Sequence, residues 1–79
     1  MRRAAEPKRA AGHITVVQER RFLLLTDEGH GYQLTLAHHA SVDADTIERY
    51  RARGTPVVVE YSGEPGLASG VAHSVVERR

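Results

Sequence analysis

Five histidines, His13, His30, His38, His39 and His73, stand in a chain of 79 residues that contains no cysteine. Imidazoles in that number invite a metal or a general base, but the spacing supplies neither. A zinc or nickel site needs three or four ligands converging at about 2 Å, and the chain has no His-x-His suited to a strand and no His-x3-His suited to a helix. Adjacent residues on a strand point to opposite faces, so His38 and His39 cannot chelate together there. Without cysteine there is no thiolate ligand, no thiol nucleophile and no disulfide. No Gly-x-Ser-x-Gly elbow places a serine for acyl transfer; Ser69, in Leu67-Ala68-Ser69-Gly70, has only part of that pattern. Gly63, Gly66 and Gly70 lack the following helix and the Lys-Ser or Lys-Thr pair that close a phosphate loop. The expectation is a non-catalytic protein with no metal and no cofactor.

A second set of residues suits binding better. Arg20 and Arg21 precede Phe22, and cations beside an exposed ring on a sheet face are what stacking of a single-stranded base requires. The first nine residues carry Arg2, Arg3, Lys8 and Arg9 against Glu6, a net +3; the other seventy carry seven basic and nine acidic side chains, a net −2. Phosphate neutralisation dominates nucleic-acid affinity. Any such binding is therefore expected to lean on the tail, since the folded part is slightly acidic.

The elements that must position these residues follow from period and punctuation. Residues 1–11, basic and alanine-rich with Pro7, show no apolar period and read as a disordered tail, leaving residues 12–79 as one domain. Strands are expected at Gly12–Gln18, Arg21–Asp27, Tyr32–His38, Pro56–Ser62 and Gly70–Val76. Asp27-Glu28-Gly29-His30-Gly31 is a turn. Val42, Ala44, Ile47 and Tyr50 fall on one face of a helix over Asp43–Arg53, with Asp43 as N-cap, Asp45 and Arg49 as an i,i+4 pair, Gly54 as the C′ residue and Pro56 preventing continuation. Alternation nominates Ile14, Val16, Leu23, Leu25, Leu34, Leu36, Ile47, Val57, Val59 and Val71 as core, and places Tyr32 with Leu34 and Leu36. The longest apolar run, Phe22–Leu25, is strand-sized, and no apolar stretch follows the N-terminal arginines, so neither a membrane span nor a secretory signal is expected and a cytoplasmic location is the simplest reading.

Three strands, a helix and two strands form a mainly β chain of order β-β-β-α-β-β, the order of a five-stranded oligonucleotide-binding-like (OB-fold-like) barrel. From Gly12 to about Val76 the chain also resembles the small S1-like branch of that fold, most of all the bacterial translation initiation factor one family. Phe22, Glu28-Gly29-His30, Ala37-His38, Ile47-Glu48-Arg49, Gly54-Thr55-Pro56-Val57-Val58-Val59-Glu60 and Leu67-Ala68-Ser69-Gly70 carry the resemblance. It implies a barrel with Phe22, His30 and His38 near an RNA-binding face. The chain departs from the family in a longer span from His30 to His38, in Thr55 where the family has Asp, and in Ser41-Val42-Asp43-Ala44-Asp45 where the family has a basic cluster.

Two classes of function follow. One is weak binding of single-stranded RNA or DNA through Arg2, Arg3, Lys8, Arg9, Arg20, Arg21, Phe22, His30 and His38. The other is a protein-interaction module, or a small homodimer, using a sheet edge or the apolar excess of the second strand. The direction of Phe22 separates them: an exposed ring beside Arg20 or Arg21 favours nucleic acid, and a buried one favours protein.

Overall fold

The computed structural model describes residues 8–64 and 70–78. Five strands, β1 (Lys8–Gln18), β2 (Arg21–Thr26), β3 (Gly31–Leu36), β4 (Pro56–Ser62) and β5 (Val71–Glu77), close into a barrel in the order β1-β2-β3-β5-β4, with helix α1 (Ala44–Arg53) between β3 and β4. The expected mainly β, OB-fold-like architecture is the one found. All pairings are antiparallel except β3 with β5, which is parallel and short, Thr35 opposite Val71 and Leu36 opposite Ala72.

β1 serves both sides of the barrel. Residues 8–13 pair with β4 and residues 12–18 with β2, so Gly12 faces Thr26 on one side and Val57 on the other. A Cβ at Gly12 would lie 2.0 Å from the Leu25 carbonyl oxygen. Only glycine permits that approach, and the strand turns the barrel corner there. β1 also starts four residues before the expected boundary. Lys8–Ala11 belong to the sheet and Ala10 lies in the core, so the tail is shorter than residues 1–11; residues 1–7 fall outside the described residues.

The interior holds Ile14, Phe22, Leu24, Leu34, Leu36, Ile47, Val57, Val59, Tyr61, Ala72 and Val75. Four expected core residues are displaced. In β2 the parity is opposite to the expectation: Phe22, Leu24 and Thr26 point inward, and Leu23 and Leu25 outward. A continuous apolar run carries no parity of its own, so its partners decide; Leu24 faces Ile14 and Tyr32, and Phe22 faces Leu34. A bulge between Ile14 and Val16 inserts Thr15, so Val16 turns outward and Val17 packs on the core. In β5 a second irregularity places His73 between Ala72 and Ser74, which puts Ala72 and Val75 inside and leaves Val71 half-buried.

Local signals fix the helix as expected. Asp43 accepts from the Thr46 N–H at 2.9 Å and from its hydroxyl at 2.8 Å. Gly54, at φ 66°, donates to the Arg51 carbonyl while the Thr55 N–H reaches Tyr50, which ties off the last carbonyls. Ile47 is buried in the core, with Tyr50 and Val42 packed against it from the same element and its approach. The Asp45–Arg49 pair does not form: Arg51 pairs with Glu48, and Arg49 donates to the Thr46 hydroxyl. Among the described residues no helix is long and apolar enough to cross a membrane.

Candidate interaction face

The register of β1, β2 and β3 arranges the outward side chains in three rows. Gln18, Arg21 and Thr35 make the first, Val16, Leu23 and Gln33 the second, and His13, Leu25 and Gly31 the third. Two rows therefore put aliphatic side chains on the outside of the barrel. Val16 is 51% exposed and Leu25 46%, and among the described residues only Val76 is a large apolar side chain left comparably open. A concavity of about 180 Å³, lined by Val16, Gln18, Arg21, Phe22, Leu23 and Gln33, opens on this face. The backbone beneath it is anchored, since Thr15 Oγ1 donates to the Leu23 carbonyl at 3.4 Å.

The two ends of the face carry opposite charge. Arg21 marks the β1–β2 hairpin end and is exposed. The β2–β3 hairpin end carries Asp27 and Glu28, with Asp27 paired to Arg78. That hairpin is well fastened: Thr26 is buried, its N–H bonds the His30 carbonyl at 2.8 Å, and its Oγ1 accepts from the His30 N–H at 2.9 Å.

The residues expected to contact nucleic acid are dispersed. Arg2 and Arg3 lie outside the described residues. Phe22 is a core residue, 3% exposed, and presents no ring to a base. Arg20 donates to the Ala37 carbonyl at 2.6 Å and its buried Nε has no partner, so its guanidinium is committed to holding the hairpin against the end of β3. His38 is exposed just beyond that point. At the other end of the barrel, Lys8 stands opposite Tyr61 with its ammonium 4.0 Å from Glu64, and Arg9 bonds Glu60 at 2.9 Å. His30 stacks there on Tyr32 at 6.3 Å, and Tyr32 meets Tyr61 edge-on at 5.8 Å. Burial, and then the neighbouring Tyr32, push the Tyr61 phenol above its ordinary range. His30 and His38 are separated by the whole of β3, so they do not share a site.

One contact was not foreseen. Ser62 Oγ lies 2.7 Å from His73 Nε2, and the His39 ring is 5.7 Å from that of His73. The irregularity in β5 that frees His73 from the ladder creates this cluster, and no sequence spacing announces it. Its third member is an imidazole rather than a carboxylate, and among the described residues no group of three or more His, Asp or Glu side chains is placed to hold a metal ion.

The fold and this face define a small, closed five-stranded β-barrel with an aliphatic outer stripe bounded by opposite charges. Comparisons with family models, curated proteins and solved structures found no match to the chain.

Proposed function

We propose that this protein is a non-catalytic interaction module that docks a protein partner on the outer face of β1, β2 and β3. The observation that carries the reading is the exposure of Val16 and Leu25 beside Leu23 while Phe22 is buried. The face offers aliphatic surface and, apart from the imidazole of His13 at its edge, no ring on which a base could stack, and base–aromatic stacking is what makes single-strand binding strong when the net charge does not. Burying two half-exposed aliphatic side chains with Leu23 contributes roughly 25 cal/mol per Å² of apolar area removed from water.

Single-stranded RNA or DNA is the second reading. It is favoured by the His30–Tyr32–Tyr61 ladder beside Lys8 and Arg9, and by the resemblance to S1-like domains. Against it stand the carboxylates of Glu60 and Glu64, which already engage those two cations.

A double variant, Leu23→Lys with Leu25→Lys, separates the readings. Quantitative affinity capture with parent and variant, alongside fluorescence anisotropy with labelled single strands at two salt concentrations, is the measurement. Loss of a captured protein in the variant at unchanged melting temperature supports the protein-docking reading. Tight single-strand binding that the variant retains refutes it.

A further inference from the structure

We infer that the partner of the β1–β2–β3 face is a second copy of this chain, packed face to face about a two-fold axis that passes over β2 at the level of Leu24. The inference rests on the interaction reading above and names its occupant. A two-fold interface must be complementary to itself, because each residue meets in the other copy the residue that meets it. The outer rows have this property. An axis parallel to the sheet, just outside its outer face and running across the strands, reverses the direction of β2. It sets Leu23 of one copy over Leu25 of the other, and Arg21 over the Asp27–Glu28 end.

The charges suit that arrangement. Asp27 is occupied by Arg78, so Glu28 supplies the uncompensated charge of its end, while Arg21 makes no ion pair among the described residues. The shapes suit it as well. The axis brings the second row over the third, which places Gln33 over Gly31 of the other copy. Gly31 is exposed, and where its Cβ would be the nearest neighbouring atom is Leu23 Cδ1 at 3.7 Å. That position is therefore already in van der Waals contact with Leu23, so Gln33 of the other copy packs across the Leu23–Gly31 pair, and it does so twice. A parallel arrangement would instead stack Arg21 on Arg21 and Glu28 on Glu28, and like-charge juxtaposition selects against it. The three rows hold fewer residues than the roughly 20–30 a side of a standard interface, so the dimer is a weak, concentration-dependent one.

The test uses two charge reversals at exposed positions, Arg21→Glu and Glu28→Arg, in the full chain. Sedimentation equilibrium is run on the parent from micromolar to near-millimolar concentration, on each variant alone, and on their equimolar mixture. The parent should self-associate. Each variant alone carries one sign at both ends of the face and should associate at least about tenfold more weakly. The mixture pairs the two signs again and should regain most of the lost affinity as a heterodimer. Circular dichroism melting verifies the fold of each variant, and Leu25→Lys provides a second disruption that does not depend on charge reversal. A parent that stays monomeric throughout the range overturns the homodimer and leaves the face to a different protein. A parent that associates while Arg21→Glu, Glu28→Arg and Leu25→Lys associate equally well overturns both the homodimer and the use of this face.

Discussion

Truncating Phe22 and Leu25 separately tests the inside–outside order of β2, on which the reading of the face depends. Phe22 is 3% exposed and packs between Val17 and Leu34, its partners in the neighbouring strands. Phe22→Ala removes most of a buried ring and leaves a cavity, a loss of about 3–5 kcal/mol. A domain of this length has a total stability of roughly 4–12 kcal/mol at about 0.05–0.15 kcal/mol per residue. The substitution therefore removes between a quarter and all of it. Leu25 is 46% exposed, so Leu25→Ala forfeits only part of a transfer term and opens no cavity, about 1 kcal/mol or less. Urea denaturation followed by far-ultraviolet circular dichroism reads both. With a slope of about 1–2 kcal/mol per molar urea, Phe22→Ala should lower the midpoint by at least roughly 1.5 M or abolish the folded baseline, and Leu25→Ala by less than about 1 M. A one-residue slip would exchange the two faces of the strand. If Leu25→Ala unfolds the protein and Phe22→Ala leaves the midpoint unchanged, β2 faces the other way and the aliphatic stripe does not exist.

Other substitutions probe the frame. Gly12→Ala would force a methyl group onto the Leu25 carbonyl and should abolish cooperative melting, whereas a cooperative transition near the parent temperature would show that the barrel corner can open. Glu19, at φ 58° in the β1–β2 turn, occupies a region that disfavours side chains, so Glu19→Gly should raise stability by up to about 1 kcal/mol in the same urea assay; a destabilised variant would refute the strain. The Asp43 carboxyl is held below its ordinary range by the Thr46 N–H and then the Thr46 hydroxyl. A depressed folded-state value means that its stabilisation is present above the unfolded value of about 4 and is lost as pH falls through the folded one. Asp43→Asn should therefore show a smaller drop in melting temperature on acidification than the parent, the remainder coming from groups such as Glu48, which Arg51 depresses in the same way. Identical acid profiles for parent and variant would exclude a contribution from this cap.

The helix was legible because its determinants are local. Asp43, Gly54 and Pro56 act on groups within a few residues, and no distant partner can cancel them. The strands were legible as elements for a related reason, since Tyr32, Leu34 and Leu36 alternate and Val57, Val59 and Tyr61 do as well. What the sequence left open is what only a partner strand can decide. Phe22-Leu23-Leu24-Leu25 offers apolar surface to both sides, and the pairing of Leu24 with Ile14 and Tyr32 chooses between them. The bulges at Thr15 and His73 depend on the register of neighbouring strands, and each redirects the side chains after it. Lys8-Arg9-Ala10-Ala11 has little intrinsic strand character and is drawn into the sheet by β4, an instance of context overriding propensity. The apolar excess of the second strand points to an interaction surface, but which of its side chains form that surface is not legible for these reasons, since alternation assigns Val16, Leu23 and Leu25 to the core.

The same sheet extension changes what the basic residues are for. Counted along the chain, Lys8 and Arg9 belong to a positive tail; in the barrel they are strand residues facing Glu64 and Glu60. Pairs this exposed contribute about 0–1 kcal/mol each, so they neither hold the barrel together nor forbid a phosphate from competing for the cation. Their effect is on the field. Each cation reaches the surface with a carboxylate beside it, and Arg51 with Glu48 and Arg78 with Asp27 repeat the pattern elsewhere. A polyanion approaching such a surface meets alternating signs instead of a stripe of one sign, and steering needs the stripe. An aliphatic row with a cation at one end and a carboxylate at the other works differently. It gains from water exclusion, which salt does not screen, and uses its two charges to fix the direction in which a partner lies. That division of labour, apolar contact for affinity and terminal charges for orientation, is what the proposed docking asks of the outer face of β1, β2 and β3.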